Sequence, residues 1–358
     1  MKKKKVYLTL QNGKVFEGYR FGANGDALGE LVFTTGMVGY DKTLTDPAYY
    51  GQIVAQTFPM IGNYGIIESE FESEKPHLTA YVVREYCEVP SNFRMEETLE
   101  NYMLRTGVIG VYGVDTRELT RILREEGAMV ARISDKPYVF TEEEKAYKVQ
   151  NAVSAVCNPE RKIYENETAK YTVAFWDFGA KRSSFDELVS LGFRVIRVPY
   201  TCTAEEILSL NVDSVVIGDG PGNPAENVEA IAEIQKVVGQ KPVFAFGLGH
   251  QLVALALGAK TAKMKYGHRG GNQPVKYLES GRVYISSQNH GYEVVASSVK
   301  AGKINFVNVN DGSVEGIAYD EQKAFTVQFA PSACSAACEP NILYNKFISI
   351  IEKENENA

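Results

Sequence analysis

The chain has 358 residues, 44% hydrophobic and 23% charged, with a formal net charge of −7. That length suggests two domains with sizeable cores, and the acidic balance argues against nucleic acid as a partner. No run of about eighteen apolar residues exists, so no membrane span is expected.

The lysines at positions 2–5 read as a solvated tail and lack the apolar stretch a secretory signal needs. Lys5 to Leu10 alternates as a strand, Asn12-Gly13 is a two-residue hairpin signal, and Val15-Phe16 begins the return strand. Glycines and tyrosines then recur from Gly36 to Gly65, as in loop-rich β structure. One clear helix follows: Asp115 can cap it with Glu118 three residues later, Leu119, Ile122 and Leu123 form its buried stripe, and Gly127 ends it. Residues 136–169 are charged and mixed, and read as a helix plus a linker. The expected division is a β-rich domain over 1–150, a linker over 151–170 and an α/β domain over 171–354.

The pattern changes at Tyr171. Thr172 to Trp176 predicts a strand, Ser184 with Glu187 a capped helix, and Phe193 to Val198 a strand. Thr203 with Glu206 caps the next helix, and Val212 to Ile217 is an apolar strand. Ala225 to Val238 predicts a helix with Ile231, Ile234 and Val238 on one face. Val243 to Phe246 is another apolar strand, and the helix through Leu252, Val253 and Leu257 closes at Gly258. Short apolar strands alternating with capped helices predict a parallel sheet covered on both faces. After Ala262 the chain returns to strands and turns, and a helix is expected around Ile342 to Ile351. The five cysteines (Cys87, Cys157, Cys202, Cys334 and Cys338) are scattered and odd in number, which fits a reducing cytoplasm better than a disulfide framework.

In such sheets the chemistry sits at the carboxyl ends of the strands. The turn Gly247-Leu248-Gly249-His250-Gln251 follows Val243 to Phe246, and a strand that turns sharply into a helix through small residues can be a nucleophile elbow or simply a tight turn. Residues 241–260, KPVFAFGLGHQLVALALGAK, resemble the elbow of class I glutamine amidotransferases. Lys263-Met264-Lys265-Tyr266-Gly267-His268-Arg269-Gly270-Gly271-Asn272 and Ser287-Gln288-Asn289-His290-Gly291-Tyr292 resemble, more narrowly, the small subunit of carbamoyl-phosphate synthase. So do Gly220-Pro221-Gly222-Asn223-Pro224 and Asn310-Asp311-Gly312-Ser313-Val314-Glu315-Gly316. The first half is similar to the same family through Val32-Phe33-Thr34-Thr35-Gly36-Met37, Leu44-Thr45-Asp46-Pro47, Ile61-Gly62-Asn63-Tyr64-Gly65, Pro90-Ser91-Asn92-Phe93-Arg94 and Asp115-Thr116-Arg117. The resemblance runs collinearly over almost the whole chain. It implies an N-terminal β-rich domain followed by an amidotransferase-like domain with a parallel-core sheet flanked by helices.

The family's glutaminase uses a cysteine thiolate, a histidine and a glutamate. By resemblance the cysteine position falls on Gly247, and the His-Pro-Glu motif falls on Ala330 and Ser332 in Val327-Gln328-Phe329-Ala330-Pro331-Ser332. The glutamine-holding serine of the Thr-Asp-Pro-Ser motif falls on Ala48, which removes a hydrogen bond of about 0.5–1.5 kcal/mol. Four functional positions have changed, and glycine at 247 relieves the strain an elbow imposes on its residue. The remaining glutamine-pocket positions match: Gly220, Gly222, Leu248, Gln251, Asn289, Gly291 and Tyr292. Their persistence fits either a retained glutamine site or backbone need alone. Cys334 and Cys338 lie just after the lost motif and could serve as a relocated nucleophile, although structural cysteines are the simpler reading; no histidine or carboxylate cluster nearby completes a metal site.

No Gly-rich phosphate loop ending in Gly-Lys-Ser or Gly-Lys-Thr occurs. No cofactor is therefore expected, and ATP chemistry is left to the large subunit that the resemblance implies as partner. The leading expectation is a cytoplasmic, glutaminase-dead small subunit. It would pair with a large subunit that makes carbamoyl phosphate from free ammonia for arginine or pyrimidine synthesis. A non-catalytic glutamine-sensing subunit and a glutaminase with a displaced nucleophile are the alternatives.

Overall fold

Alternation in the strand Lys5–Leu10 turns Val6, Leu8 and Leu10 into one buried row. The strand Val15–Gly22 returns antiparallel to it, with Thr9 opposite Val15. The connection is longer than a two-residue hairpin. Gly13 donates to the Leu10 carbonyl and alone takes the left-handed conformation (φ 87°), while the Leu10 N–H donates to Lys14 O. Asn12 keeps a negative φ, so the type I′ turn that Asn-Gly favours does not form, and a turn closed by a left-handed glycine replaces it.

The computed structural model describes residues 4–331 and 341–357. Its contacts divide the chain into two units: the chain through Gln150 with Lys265–Gly270, and Asn151–Met264 with the chain from Gly271 onward. In the first unit, seven strands close into a barrel. In order around the barrel they are Lys5–Leu10, Val15–Gly22, Ile109–Tyr112, Ala80–Val82, Gln52–Gln56, Ala27–Thr34 and Met129–Ser134. Closure removes the exposed sheet edges. The helix Thr116–Glu126 buries Leu119, Ile122 and Leu123 in the barrel's core cluster. Asp115 caps it by accepting from the Glu118 N–H at 3.0 Å, and the Gly127 N–H closes it on Leu123 O.

In the second unit ten strands form one sheet. Its parallel core runs Phe193–Pro199, Tyr171–Asp177, Ser214–Ile217, Val243–Phe246 and Ala324–Val327. These strands are almost continuously buried, as a sheet covered on both faces requires. Antiparallel strands extend it on one side through Val314–Tyr319 and Lys303–Asn308, and on the other through Lys162–Tyr164. The stretch expected as linker thus contributes a sheet strand, preceded by the short helix Ala152–Val156.

Several helix limits differ from the sequence reading. The helix expected to begin at Ser184 spans Arg182–Ser190 with Lys181 at its cap. The turn before it is compressed because Asp177 Oδ1 accepts from both the Gly179 and Ala180 N–H groups, so Ser184 lies inside the first turn. The expected helix Ala225–Val238 is a 3-10 turn, Pro224–Glu226, followed by the helix Val228–Val237. Ala230, Ile234 and Val237 form its buried face. The C-terminal helix Ile342–Asn357 runs further than its apolar stripe predicted.

The helix Ala204–Leu208 carries a complete capping box: the Glu206 N–H donates to Thr203 Oγ1 at 3.2 Å and the Thr203 N–H to Glu206 Oε2 at 2.8 Å. Thr203→Ala is expected to cost about 1 kcal/mol in urea unfolding. A loss indistinguishable from zero would mean that the box contributes nothing. Among the described residues no helix is long and apolar enough to cross a membrane.

Candidate functional site

The strand Val243–Phe246 lies between Ser214–Ile217 and Ala324–Val327, parallel to both. All three strands therefore deliver their following residues to the same edge of the sheet. After Phe246 the chain reverses at Gly247 (φ 56°, ψ −122°) directly into the helix Leu248–Ala256. This is the sharp strand-to-helix turn of a nucleophile elbow, in a backbone region that side chains rarely enter. The helix packs close because of Gly249, where a Cβ would lie 2.2 Å from Ile217 O. The elbow is present in full, and its residue carries no side chain.

The turn after Ser214–Ile217 fills the space above that glycine. A Cβ at position 247 would lie 2.1 Å from Asp219 Oδ1 and 2.3 Å from its Cγ. The same Oδ1 accepts from the Leu248 N–H at 2.9 Å and from the Gly220 N–H at 2.8 Å. Two backbone N–H groups converging on one negatively charged oxygen have the geometry of an oxyanion hole. Here the oxygen they hold belongs to the chain itself. Asp219 was missed in the sequence reading; the available signal was an acidic residue between Gly218 and Gly220 at a strand's carboxyl end.

The neighbouring strand brings in the next expected position. Gly247 N–H donates to Val327 O at 3.0 Å, and Ala330, three residues on, donates its N–H to Ser287 O at 3.0 Å. Ala330 supplies only a methyl group there. Ser332 lies outside the described residues, as do Cys334 and Cys338.

Gln251, in the elbow helix, donates from Nε2 to Tyr292 O at 2.7 Å and to Gln328 Oε1 at 2.8 Å. The structure thus joins two of the expected pocket positions, Gln251 and Tyr292, and adds Gln328, which the sequence reading had not singled out. Gly220 and Leu248 meet at Asp219. Gly222 lies in the turn just after Gly220 (φ 89°), and Asn289 and Gly291 lie half-buried on the strand Val283–Val294, beside Tyr292. Ala48 lies in the first unit, in the 3-10 turn Pro47–Tyr49, where Asp46 Oδ1 accepts from its N–H.

The second unit holds two histidines among its described residues. His250 is fully buried, with Nδ1 2.7 Å from Thr326 Oγ1 and no hydrogen-bond partner for Nε2. Burial depresses its pKa to about 3, so the ring is neutral near pH 7. His290 has both ring nitrogens near oxygens, Tyr292 O at 2.8 Å and Gln288 Oε1 at 2.9 Å. The described cysteines of this unit are held as thiols: burial pushes Cys157 up to about 12, and burial with Glu206 beside it pushes Cys202 up to about 11.

A buried neutral histidine also sets an acid response. Between about pH 6.5 and pH 3 the unfolded state binds a proton at position 250 that the folded state refuses, so stability falls as pH drops through that window. His77, lowered to about 4 chiefly by burial, adds in the same direction. His250→Gln is expected to flatten the slope of unfolding free energy against pH between 4 and 6, by up to about 1.4 kcal/mol per pH unit. Equal slopes in the two proteins would show that His250 already titrates normally in the fold.

Known families match both parts of the chain. Residues 8–133 match the family model "Carbamoyl-phosphate synthase small chain, CPSase domain", and residues 174–350 match "Glutamine amidotransferase class-I". The chain is 45% identical to the carbamoyl phosphate synthase small chain of Clostridium perfringens over 347 residues, covering 96% of this chain and 99% of that one. It is 43% identical to that of Caldanaerobacter subterraneus, over 97% and 96% of the two chains. To the carbamoyl phosphate synthase pyrimidine-specific small chain of Bacillus subtilis it is 42% identical, over 98% and 97%.

Proposed function

This chain belongs to the carbamoyl-phosphate synthase small-chain family, and from that premise we propose that it is a glutaminase-deficient small subunit serving a large subunit fed by free ammonia. The observation that carries the reading is the elbow: Gly247 offers no nucleophile, and the Asp219 carboxylate occupies the space above it and the two N–H groups beside it. Amide hydrolysis at neutral pH needs an activated nucleophile, a proton carrier and a vacant oxyanion site. Ala330 has no proton to carry, and neither imidazole of this unit stands in for it: His250 is fully buried against Thr326, and both ring nitrogens of His290 are engaged with Tyr292 O and Gln288 Oε1.

In this reading residues 1–150 supply the family's N-terminal domain and residues 171–354 an amidotransferase scaffold kept for its shape. The partner is the synthase large subunit, the product is carbamoyl phosphate for pyrimidine or arginine synthesis, and the setting is the cytoplasm. The family match and the pyrimidine-specific relative support the pathway. Gly220, Gly222, Leu248, Gln251, Asn289, Gly291 and Tyr292 remain as the outline of a glutamine pocket. With Gln251 Nε2 already bonded to Tyr292 O and Gln328 Oε1, that outline favours a self-satisfied site over a glutamine sensor. The test is nitrogen-donor choice in the assembled synthase, developed in the Discussion.

A further inference from the structure

We infer that Asp219 is a built-in ligand of the anion hole at the elbow, and that its seat requires glycine at position 247. The hole is formed by N–H groups from two separate turns, Leu248 at the start of the elbow helix and Gly220 after the strand Ser214–Ile217. One oxygen of Asp219 satisfies both at normal hydrogen-bond lengths. Left empty, this hole would expose two converging N–H dipoles with a helix N-terminus behind one of them, an arrangement that favours an anion. The carboxylate supplies that anion permanently.

The same side chain excludes any Cβ at 247. An added methyl would lie 2.1 Å from Oδ1, 2.3 Å from Cγ and 2.9 Å from Cβ of Asp219. Oδ1 and Cγ move with rotation about the Cα–Cβ bond, so the two closest contacts are relieved by swinging the carboxylate out of the hole; the 2.9 Å contact with Cβ is unaffected by that rotation and is common to the Asp219 and Asp219→Ala backgrounds. Any side chain at 247 and the Asp219 seat are therefore alternatives. The absence of a nucleophile and the presence of the internal anion form one coupled arrangement. A thiol reintroduced at 247 by itself would meet an occupied hole. This inference is independent of the catalytic reading: glutamate release would overturn that reading and leave the contact intact, and the stability cycle below tests the contact alone.

The experiment is a double-mutant cycle on the full chain, with Gly247→Ala, Asp219→Ala and the two together, read as melting temperature. Backbone strain at 247 is common to both backgrounds and cancels, which isolates the clash. Gly247→Ala is expected to lower the melting temperature by about 5–10 °C with Asp219 present and by no more than about half as much with Asp219→Ala. Equal losses in the two backgrounds overturn the inference. Should the chains with Gly247→Ala fail to fold, the Asp219→Ala chain decides with sodium formate as probe and sodium chloride as ionic-strength control. Formate is expected to raise its melting temperature with saturation and to leave the wild-type value unchanged. An identical response of both chains overturns the inference.

Discussion

Reconstituted with a large subunit, the chain is expected to support carbamoyl phosphate formation from ammonium chloride, while glutamine yields none above the no-donor blank. Removing the catalytic residues of a nucleophilic triad costs on the order of 10⁶ in kcat, and the remaining 10³–10⁴ over water comes from the oxyanion hole and substrate binding. Here the hole is also filled, because Asp219 Oδ1 already holds the Leu248 and Gly220 N–H groups. The residual rate that survives in a simple knockout therefore has no source either. Glutamate release by the isolated chain is expected at least about 10⁴-fold below that of a glutamine-dependent relative. Glutamate production by the pure chain, above a heat-killed control, would sink the proposal. Before-and-after alkylation then locates the responsible thiol, with Cys334 and Cys338 the first to map.

The largest expected loss of stability comes from the layer beneath the elbow. Phe244 is fully buried in the strand Val243–Phe246, which leads into Gly247. Its ring stacks on Phe325, its registered neighbour on the next strand, with centroids 4.6 Å apart. Tyr344 meets it edge-on at 5.8 Å and Phe347 packs at 5.5 Å, both from the C-terminal helix. Phe244→Ala would open a cavity that three packed aromatic walls cannot collapse to fill, at a cost of about 3–5 kcal/mol. Chemical unfolding followed by the fluorescence of Trp176, fully buried in the same sheet, reads this unit directly, since it is the one tryptophan in the chain. A cost below about 1 kcal/mol would mean that the helix Ile342–Asn357 repacks onto the strand.

The two predictions share a physical basis. A packed aromatic layer holds the strand ends in place, so the elbow keeps its strained shape although its residue carries no side chain. Gly249 against Ile217 O shows the same tight fit from the helix side. The scaffold can thus persist for its outline, as the proposed structural role for a large subunit requires.

The absence of a side chain at 247 was legible from residue identity once the strand Val243–Phe246 and the small-residue turn had placed the elbow, and the absence of an imidazole at 330 followed only from the resemblance of residues 327–332 to the family's His-Pro-Glu segment. The helix Thr116–Glu126 was equally legible, because Asp115, Leu119, Ile122, Leu123 and Gly127 act within a few turns of one another. The same holds for the Thr203–Glu206 box. Local capping and periodicity act over a few residues, and the sequence by itself determined what they govern at Asp115 and Thr203, though not the turn at Asn12-Gly13 or the cap expected at Ser184. The closed seven-stranded barrel, the sheet strand Lys162–Tyr164 within a stretch that reads as linker, and the Gln251–Gln328 hydrogen bond were decided only by the tertiary structure. So was the Asp219 carboxylate above Gly247, which joins turns 28 residues apart in the chain. Each of these depends on hydrogen bonds or contacts between segments distant in sequence, and no local pattern encodes which partner a strand edge or a side-chain oxygen will meet.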